Sequence, residues 1–151
     1  MMAVRCSDPD AVVAEARRWL GTPYCHQASC RGAGTDCLGL MRGLWRTLVG
    51  PEPEPVQPYS PDWAEGAGDE RLLEASLRHL HPADGSVRPG DVLLFRMIAR
   101  GPVKHVGILS SGSLMAGRMI HAYSGHAVCE TALSAAWVRR LAGAFRFPAR
   151  P

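Results

Sequence analysis

The apolar residues of this 151-residue chain change their spacing once, near Arg88, and that change limits the possible folds most strongly. Before Arg88, apolar residues recur three or four positions apart, as on the buried face of a helix. After it, short apolar runs alternate with Gly, Ser and Pro, as strands and turns do. Helices followed by consecutive strands predict an α+β fold, in which N-terminal helices pack on a C-terminal antiparallel sheet.

Three helices are predicted before the change. The first begins at Pro9, with Asp8 as its N-cap, and is closed by Gly21. The second covers about residues 36–49 and the third about 69–80, both marked by helical spacing of apolar residues. In the third helix, the residues expected to face inward are Leu72, Leu73, Leu77 and Leu80.

Residues 51–63, with the sequence PEPEPVQPYSPDW, contain five prolines and cannot form a helix or a central strand. We expect an extended surface loop. Tyr59 and Trp63 on such a backbone are typical of a segment that binds a partner protein. An ordinary ordered loop explains the same residues, and both interpretations stay open.

Strands are predicted at residues 91–97, 104–110, 118–123, 126–131 and 142–147, with a short helix at about 132–139. The length suits one domain over residues 1–151. The whole second half is therefore expected to form one sheet.

Charge and composition make several classes of protein unexpected. The net charge is +3, and 16 of the 17 basic residues are arginines scattered along the chain, which does not suggest nucleic-acid binding. No apolar run approaches the roughly 20 residues of a membrane span. The first residues lack the apolar core of a secretory signal, so we expect synthesis in the cytoplasm without a signal peptide. Five cysteines, an odd number, argue against a disulfide framework.

Cys37 stands out among the cysteines because it falls in the first turn of the second helix, with Asp36 or Thr35 as the cap. Unpaired N–H groups at a helix start favour a thiolate and can lower a cysteine pKa. The same groups could stabilise an oxyanion. A small buried apolar residue is the competing interpretation.

Two histidines are candidates for the base that such a cysteine needs. His105 and His121 lie in neighbouring predicted strands, and pairing them in a hairpin centres the turn on Ser113. Alternation then places both on one face of the sheet. A Cys–His pair with a third polar group is the arrangement of cysteine hydrolases. Two unrelated structural histidines remain the alternative.

Several short motifs, in their order, resemble those of the NlpC/P60 cell-wall peptidases, which belong to a papain-like superfamily. DCLGL and the YSPDW stretch at 59–63 are most similar to short members encoded with phage tails and gene transfer agents. The motifs are Gly21-Thr22-Pro23-Tyr24, Asp36-Cys37-Leu38-Gly39-Leu40, Pro89-Gly90-Asp91-Val92-Leu93-Leu94-Phe95, His105-Val106-Gly107-Ile108 and Ile120-His121-Ala122.

The resemblance implies a papain-like fold with a sheet or barrel and a role for five residues. Cys37 would be the nucleophile, His105 the general base and then acid, and His121 the residue that orients His105. Tyr24 and Asp36 would contact the substrate or the oxyanion. The implied substrate is a peptidoglycan stem peptide, cut between a D-isoglutamyl residue and a diamino acid. No metal or other cofactor is implied.

The chain departs from the family pattern at two places. Leu38 follows the nucleophile where many members have serine, which leaves open whether a free N-terminus is required. The spacing from His105 to His121 is longer than usual, which we attribute to the loop SSGSLMAG. His126 is therefore an alternative third residue.

The resemblance also implies a setting on a phage-like tail tip, with hub proteins as partners. A structural tail-tip module that mainly binds a hub protein is one alternative, and an amidase or acyltransferase of the same superfamily is another. No insertion into a membrane is expected.

The remaining cysteines could suggest a metal site. Cys25, Cys30 and Cys37 lie near His26, but their spacing lacks the paired C-x2-C of structural zinc sites, so no metal is expected. Cys25 and Cys30 could instead pair in an oxidising setting or line the active-site cleft. The other two are expected to be inert thiols: Cys6 and Cys129.

Overall fold

The structure, a computed structural model, describes residues 4–59 and 70–151. Its longest described helix has 12 residues, and no helix in these two ranges is long and apolar enough to cross a membrane. The helices are α1 (Pro9–Arg18), α2 (Cys37–Leu48), α3 (Arg71–His79) and α4 (Ala135–Arg139). The strands are β1 (Ser29–Cys30), β2 (Gly34–Thr35), β3 (His81–Pro82), β4 (Val92–Arg96), β5 (Val103–Ser111), β6 (Arg118–His121), β7 (Cys129–Ala132) and β8 (Leu141–Arg146).

Six of the strands form one antiparallel sheet in the order β3-β8-β4-β5-β6-β7, and β1 pairs with β2 as a separate hairpin. The predicted α+β class is confirmed. Sequence patterning missed β1, β2 and β3, because two-residue strands are too short to show alternation.

The sheet is covered on both faces by different helices. Leu94 and Val106 belong to a core shared with α1, α2 and α3. Leu93 and Leu109 point the other way, into a smaller cluster that α4 covers. Because both faces are buried, β4 consists almost entirely of apolar residues rather than alternating ones.

The contact between α1 and α2 depends on a glycine. A Cβ added at Gly43 would lie 2.0 Å from Cζ2 of Trp19, a distance that no side chain can tolerate. The ring of Trp19 is therefore inserted against the backbone of α2, and it is 3% exposed. Leu20, which shares the predicted helical pattern, follows the end of α1 and is 40% exposed.

The third helix differs from its prediction in one residue. Leu77 was expected to face inward but is 58% exposed, whereas Leu72 and Ser76 are buried. At about 100° per residue, Leu77 lies roughly 120° away from the centre of the face formed by Leu72 and Ser76. The predicted helix start at Asp69 and the predicted partner-binding residue Trp63 lie outside the described residues.

Candidate active site

The cysteine singled out by the sequence is the first residue of α2. Asp36 is the N-cap, and its Oδ1 accepts a 2.7 Å hydrogen bond from the N–H of Gly39. Of the two predicted caps, the structure selects Asp36. Cys37 therefore lies where the unpaired N–H groups of the helix begin.

The carboxylate of Asp36 also holds two loop segments. Its Oδ2 accepts a 2.8 Å bond from the N–H of Gln27 and a bond from the hydroxyl of Tyr59. Asp36 is only 2% exposed, and these three hydrogen bonds satisfy the oxygens of its buried side chain. Gln27 has a φ of 67°, a left-handed conformation that turns its N–H toward this carboxylate. Asp36, predicted to contact substrate or oxyanion, is thus occupied by the protein's own donors.

Tyr59 fixes the end of the described Pro-rich segment beside the same loop. Its carbonyl oxygen accepts bonds from His26 Nε2 at 2.6 Å and from Gln27 Nε2 at 2.7 Å. The rings of His26 and Tyr59 meet edge to face at 4.9 Å. In the described part of this segment, Tyr59 therefore faces the candidate site.

The sulfur of Cys37 lies against the backbone on both sides of His105. Its Sγ is 3.8 Å from the carbonyl oxygen of Lys104, and the N–H of Val106 is directed at the sulfur. Leu109 makes its backbone bonds toward β4, so by alternation the backbone groups of Val106 face the β6 side. Because β6 ends at His121, the thiol occupies the gap beyond that strand.

The structure brings the two predicted histidines together. His105 Nε2 lies 2.9 Å from His121 Nδ1, and His121 Nε2 lies 3.0 Å from Oγ1 of Thr131 on β7. Thr131 was missed by the sequence analysis, because only the pairing of β6 with β7 brings it to His121. The two rings and the hydroxyl form a continuous chain of hydrogen bonds.

The register of the histidine hairpin corrects the predicted one. Ile108 pairs with Ile120, so the turn is centred one residue beyond the predicted Ser113 and His121 falls opposite Gly107. An irregularity between Leu109 and Ser111 inserts one extra residue into β5, which the sequence did not reveal. The predicted shared face is correct, and the two rings meet diagonally across it.

His126, the alternative third residue, lies close enough to His121 to help lower the pKa of that imidazole. It is exposed and stacks on the ring of Tyr123, with centroids 5.6 Å apart. The imidazole hydrogen-bonded to His105 is that of His121.

Aromatic rings surround the histidine pair. Trp137 on α4 stacks on His105, with centroids 5.1 Å apart, and Phe95 and Tyr123 lie within 6.0 Å of the same imidazole. Nothing in the sequence around Trp137 marked it for this position, because it is 32 residues from His105.

Burial opposes charge on both the thiol and the imidazoles. It raises the pKa of Cys37 to about 12, and the carboxylate of Asp36 adds to the rise. The N–H groups of Val106, Leu38 and Cys37 lower that pKa but do not offset burial. Burial also lowers the pKa of His105 to about 3 and that of His121 to about 4, aided by the neighbouring imidazoles. These shifts favour a neutral thiol and neutral imidazoles in the resting site.

Tyr24 lies on the other side of the cysteine. Its backbone forms a bridge with Thr35, immediately before the cap of α2. Burial raises the pKa of its phenol, and negative charge on Cys37 or Asp36 would raise it further. The phenol is therefore close to both residues.

A cleft of about 520 Å³ opens beside the residue that follows the cysteine. Leu38, Val56 and Leu72 are among the apolar residues lining it, and Arg71 and Arg78 are among the charged ones. Glu54 and Glu74 also line it, and Arg78 is paired with Glu54.

All five cysteines lie in the described part of the chain and all are free. Cys25 and Cys30 are exposed in the loop that leads to the site. Within residues 4–59 and 70–151, no group of three or more His, Cys, Asp or Glu side chains is arranged to hold a metal ion.

Comparison with solved structures supports the fold. A protein of the NlpC/P60 family from Bacillus cereus ATCC 10987 matches 95% of this chain and 41% of its own, with a TM-score of 0.64 and 20% identity. The NlpC/p60 domain of the peptidoglycan hydrolase SagA matches 91% of this chain and 97% of its own, with a TM-score of 0.61 and 22% identity. The fold over most of the chain is thus similar to that of one such domain.

Sequence comparison identifies the family. Gamma-DL-glutamyl hydrolase of Bacillus subtilis (strain 168) is 29% identical over 140 residues, which are 90% of this chain but 29% of that protein. The chain therefore spans less than a third of this curated relative. The model of the NlpC/P60 family matches residues 21–146, which include the Cys37 helix and both histidine strands. The chain belongs to the NlpC/P60 family.

Proposed function

We propose that this protein is a cysteine peptidase that hydrolyses an amide bond in peptidoglycan stem peptides. The observation that carries the proposal is the Cys37 thiol at a helix start, held against the strand of a hydrogen-bonded His105–His121 pair. Members of the NlpC/P60 family are cysteine peptidases and hydrolases of peptidoglycan, which agrees with this chemistry.

The hydrogen-bond chain suggests which tautomers are active. Thr131 Oγ1 accepts from His121 Nε2–H, and His121 Nδ1 then accepts from His105 Nε2–H. This leaves Nδ1 of His105 unprotonated and able to take the proton of the Cys37 thiol. The opposite direction would place a proton on that nitrogen and remove the base.

The reaction would proceed by acyl transfer. His105 Nδ1 takes the thiol proton as the sulfur of Cys37 attacks the peptide carbonyl carbon. The N–H groups of Cys37 and Leu38 at the helix start stabilise the oxyanion. The imidazolium of His105 gives its proton to the departing amine, which leaves a thioester. Water, deprotonated by His105, hydrolyses the thioester and restores the thiol.

We further propose that the bond cleaved joins a D-isoglutamyl residue to a diamino acid. The name of the Bacillus subtilis relative specifies a glutamyl linkage, and that of SagA specifies peptidoglycan. Leu38 gives the cleft beside the thiol an apolar wall where many members carry serine. We therefore expect substrates with a blocked N-terminus to be accepted.

Defined stem peptides test this proposal. The purified chain is incubated with L-Ala-γ-D-Glu-diamino acid and with the same peptide acylated at its N-terminus. The products are then identified by mass spectrometry. We expect a new diamino-acid product from both peptides. Cys37→Ala should abolish it, whereas Cys6→Ala, a cysteine remote from the site, should not. Undiminished cleavage by Cys37→Ala would reject the mechanism.

A more specific proposal is that the protein is carried on a phage-like tail tip, with hub proteins as partners. It rests on the resemblance of the DCLGL and YSPDW motifs. The described part of the Pro-rich segment binds its own chain: Glu52 pairs with Arg42 and Arg46, and Glu54 pairs with Arg78. These inward contacts favour the enzyme over the hub-binding module. Mass spectrometry of purified particles tests the setting, and normal assembly with residues 51–63 replaced by a neutral linker would reject hub binding through that segment.

A further inference from the structure

Trp137 occupies a position that sequence and resemblance left without a role. It lies in α4, a five-residue helix capped by Ser134, whose side chain accepts a 3.4 Å bond from the N–H of Trp137. The indole is half-buried and packs on the apolar cluster that includes Leu93 and Phe95. This packing fixes α4 on the sheet face from which the two histidines project.

One indole ring contacts both members of the histidine hydrogen bond. It stacks on His105 with an interplanar angle of 28° and centroids 5.1 Å apart. Its edge-to-face contact with His121 has an angle of 88° and a centroid distance of 5.4 Å. The two imidazoles are inclined to each other by 74°. One indole can therefore lie nearly parallel to His105 and nearly perpendicular to His121.

We propose that Trp137 is a positioning residue, which holds the ring plane of His105 and keeps water away from its hydrogen bond to His121. The catalytic part of this inference rests on the proposed function. The structural part, the state of the two imidazoles, does not.

The need for such a residue follows from the freedom of an imidazole. Rotation about the last side-chain bond of histidine is loosely restricted, so a ring with one hydrogen bond can turn. A turned His105 would lose its bond to His121 and direct Nδ1 away from the thiol. Stacking on a fixed indole opposes this rotation, and exclusion of water strengthens the 2.9 Å bond between the rings.

Other titratable groups also face the histidine pair. Cys37 approaches from α2, Cys129 pairs with His121 from β7, and Tyr123 and His126 follow β6. Glu130, the nearby carboxylate of β7, accepts hydrogen bonds from Ser110 and Arg17. A test of Trp137 must therefore observe each imidazole directly.

Two substitutions and one control test the proposal. Trp137→Leu keeps an apolar side chain but removes the ring, and Trp137→Phe keeps a smaller ring. Val138→Ala loosens the same helix from the same apolar cluster without removing a ring contact. The pKa values of His105 and His121 are followed by NMR titration, and kcat and KM are measured on the stem peptide from pH 4 to 8.

We expect Trp137→Leu to raise both histidine pKa values toward 6.5 and to move the acidic limb of the kcat profile to higher pH. Misorientation of the base should lower kcat by about 10- to 100-fold and leave KM within about twofold. Trp137→Phe should give intermediate values, and Val138→Ala should match the wild type.

Three results would overturn the proposal: unchanged histidine titrations in Trp137→Leu, an equal loss in Val138→Ala, or a change confined to KM. If Trp137→Leu does not fold, an unshifted titration in Trp137→Phe would overturn it as well. The titration is independent of turnover. Failure to cleave any stem peptide, with the expected titrations, would therefore count against the proposed function alone.

Discussion

The two sides of the candidate site are held in different ways. On the cysteine side, a buried carboxylate accepts bonds from a helix, a loop and the Pro-rich segment, and so fixes the start of α2. On the histidine side, the rings of Phe95, Tyr123 and Trp137 surround two imidazoles that bond each other. The first arrangement fixes a backbone, whereas the second fixes the orientation of side chains. Damage to the first should therefore reduce stability, and damage to the second should reduce activity.

Removing the base should have the largest effect. His105→Gln keeps a polar side chain but cannot take the thiol proton, so we expect kcat to fall by about 10³-fold, within the range for general acid–base catalysis. Initial rates on the stem peptide measure this loss.

The same substitution should make the fold more tolerant of acid. Burial holds the pKa of His105 near 3, below its unfolded value of about 6.5. The unfolded chain therefore binds more protons in this window, and stability is lost as the pH falls from 6.5 toward 3. The fall in unfolding temperature between pH 7 and pH 5 should be smaller in His105→Gln. An equal fall, or activity within tenfold of wild type, would contradict the assignment.

The next largest expected effect is on the rate at which the Cys37 thiol is alkylated. Because burial and Asp36 raise the pKa of Cys37 to about 12, its alkylation by iodoacetamide should still accelerate above pH 9.5. At pH 8, a chain retaining only Cys37 should react at least about 100-fold more slowly than a small cysteine peptide with the unperturbed thiol pKa of about 8.5, since each unit of pKa changes the thiolate fraction tenfold.

If the alkylation rate of Cys37 reached a plateau below pH 8, the pKa of the thiol would be lowered rather than raised. It would mean that a thiolate–imidazolium pair already exists at rest. Alkylation of the small cysteine peptide provides the ordinary thiol against which the plateau is judged.

The cysteine side could be predicted from the sequence because its contacts are local. The cap joins Asp36 to Gly39, three residues apart, and Pro9 marks the start of α1 in the same way. Local signals also gave the order of helices and strands. They did not give the pKa of Cys37, because burial of the thiol depends on tertiary packing and outweighs the backbone N–H groups that lower this pKa.

The histidine side could be predicted only in part. Alternation placed His105 and His121 on one face, but their register depended on an extra residue in β5 that no local signal marks. Thr131 and Trp137 reach the pair through strand pairing and helix packing over long sequence distances. Contacts of this kind are set by tertiary packing, which residue spacing does not encode.

Loss of the hydroxyl at the end of the hydrogen-bond chain should have a smaller effect. Thr131→Val keeps the shape of the side chain but cannot accept from His121 Nε2–H, so the inactive tautomer becomes more populated. We expect kcat to fall by about tenfold, at the lower end of the cost of losing an outer partner of a functional histidine. Thr131→Ser, which keeps the hydroxyl, should stay near wild type. Equal rates in the two variants would show that the hydroxyl does not select the tautomer.

The smallest expected effect belongs to the cysteine side. Tyr59→Phe removes one of the donors to the buried carboxylate of Asp36 and leaves the carbonyl bonds to His26 and Gln27 in place. We expect about 1 kcal/mol less unfolding free energy, the net value of a typical hydrogen bond. Denaturant unfolding measures this loss, and Tyr123→Phe, at an exposed ring, is the control.

Because two donors still hold Asp36 and the start of α2, kcat should change less in Tyr59→Phe than in Thr131→Val. A larger loss of kcat with no loss of stability would show that Tyr59 acts on the reaction rather than on the scaffold, and the division between the two sides would fail.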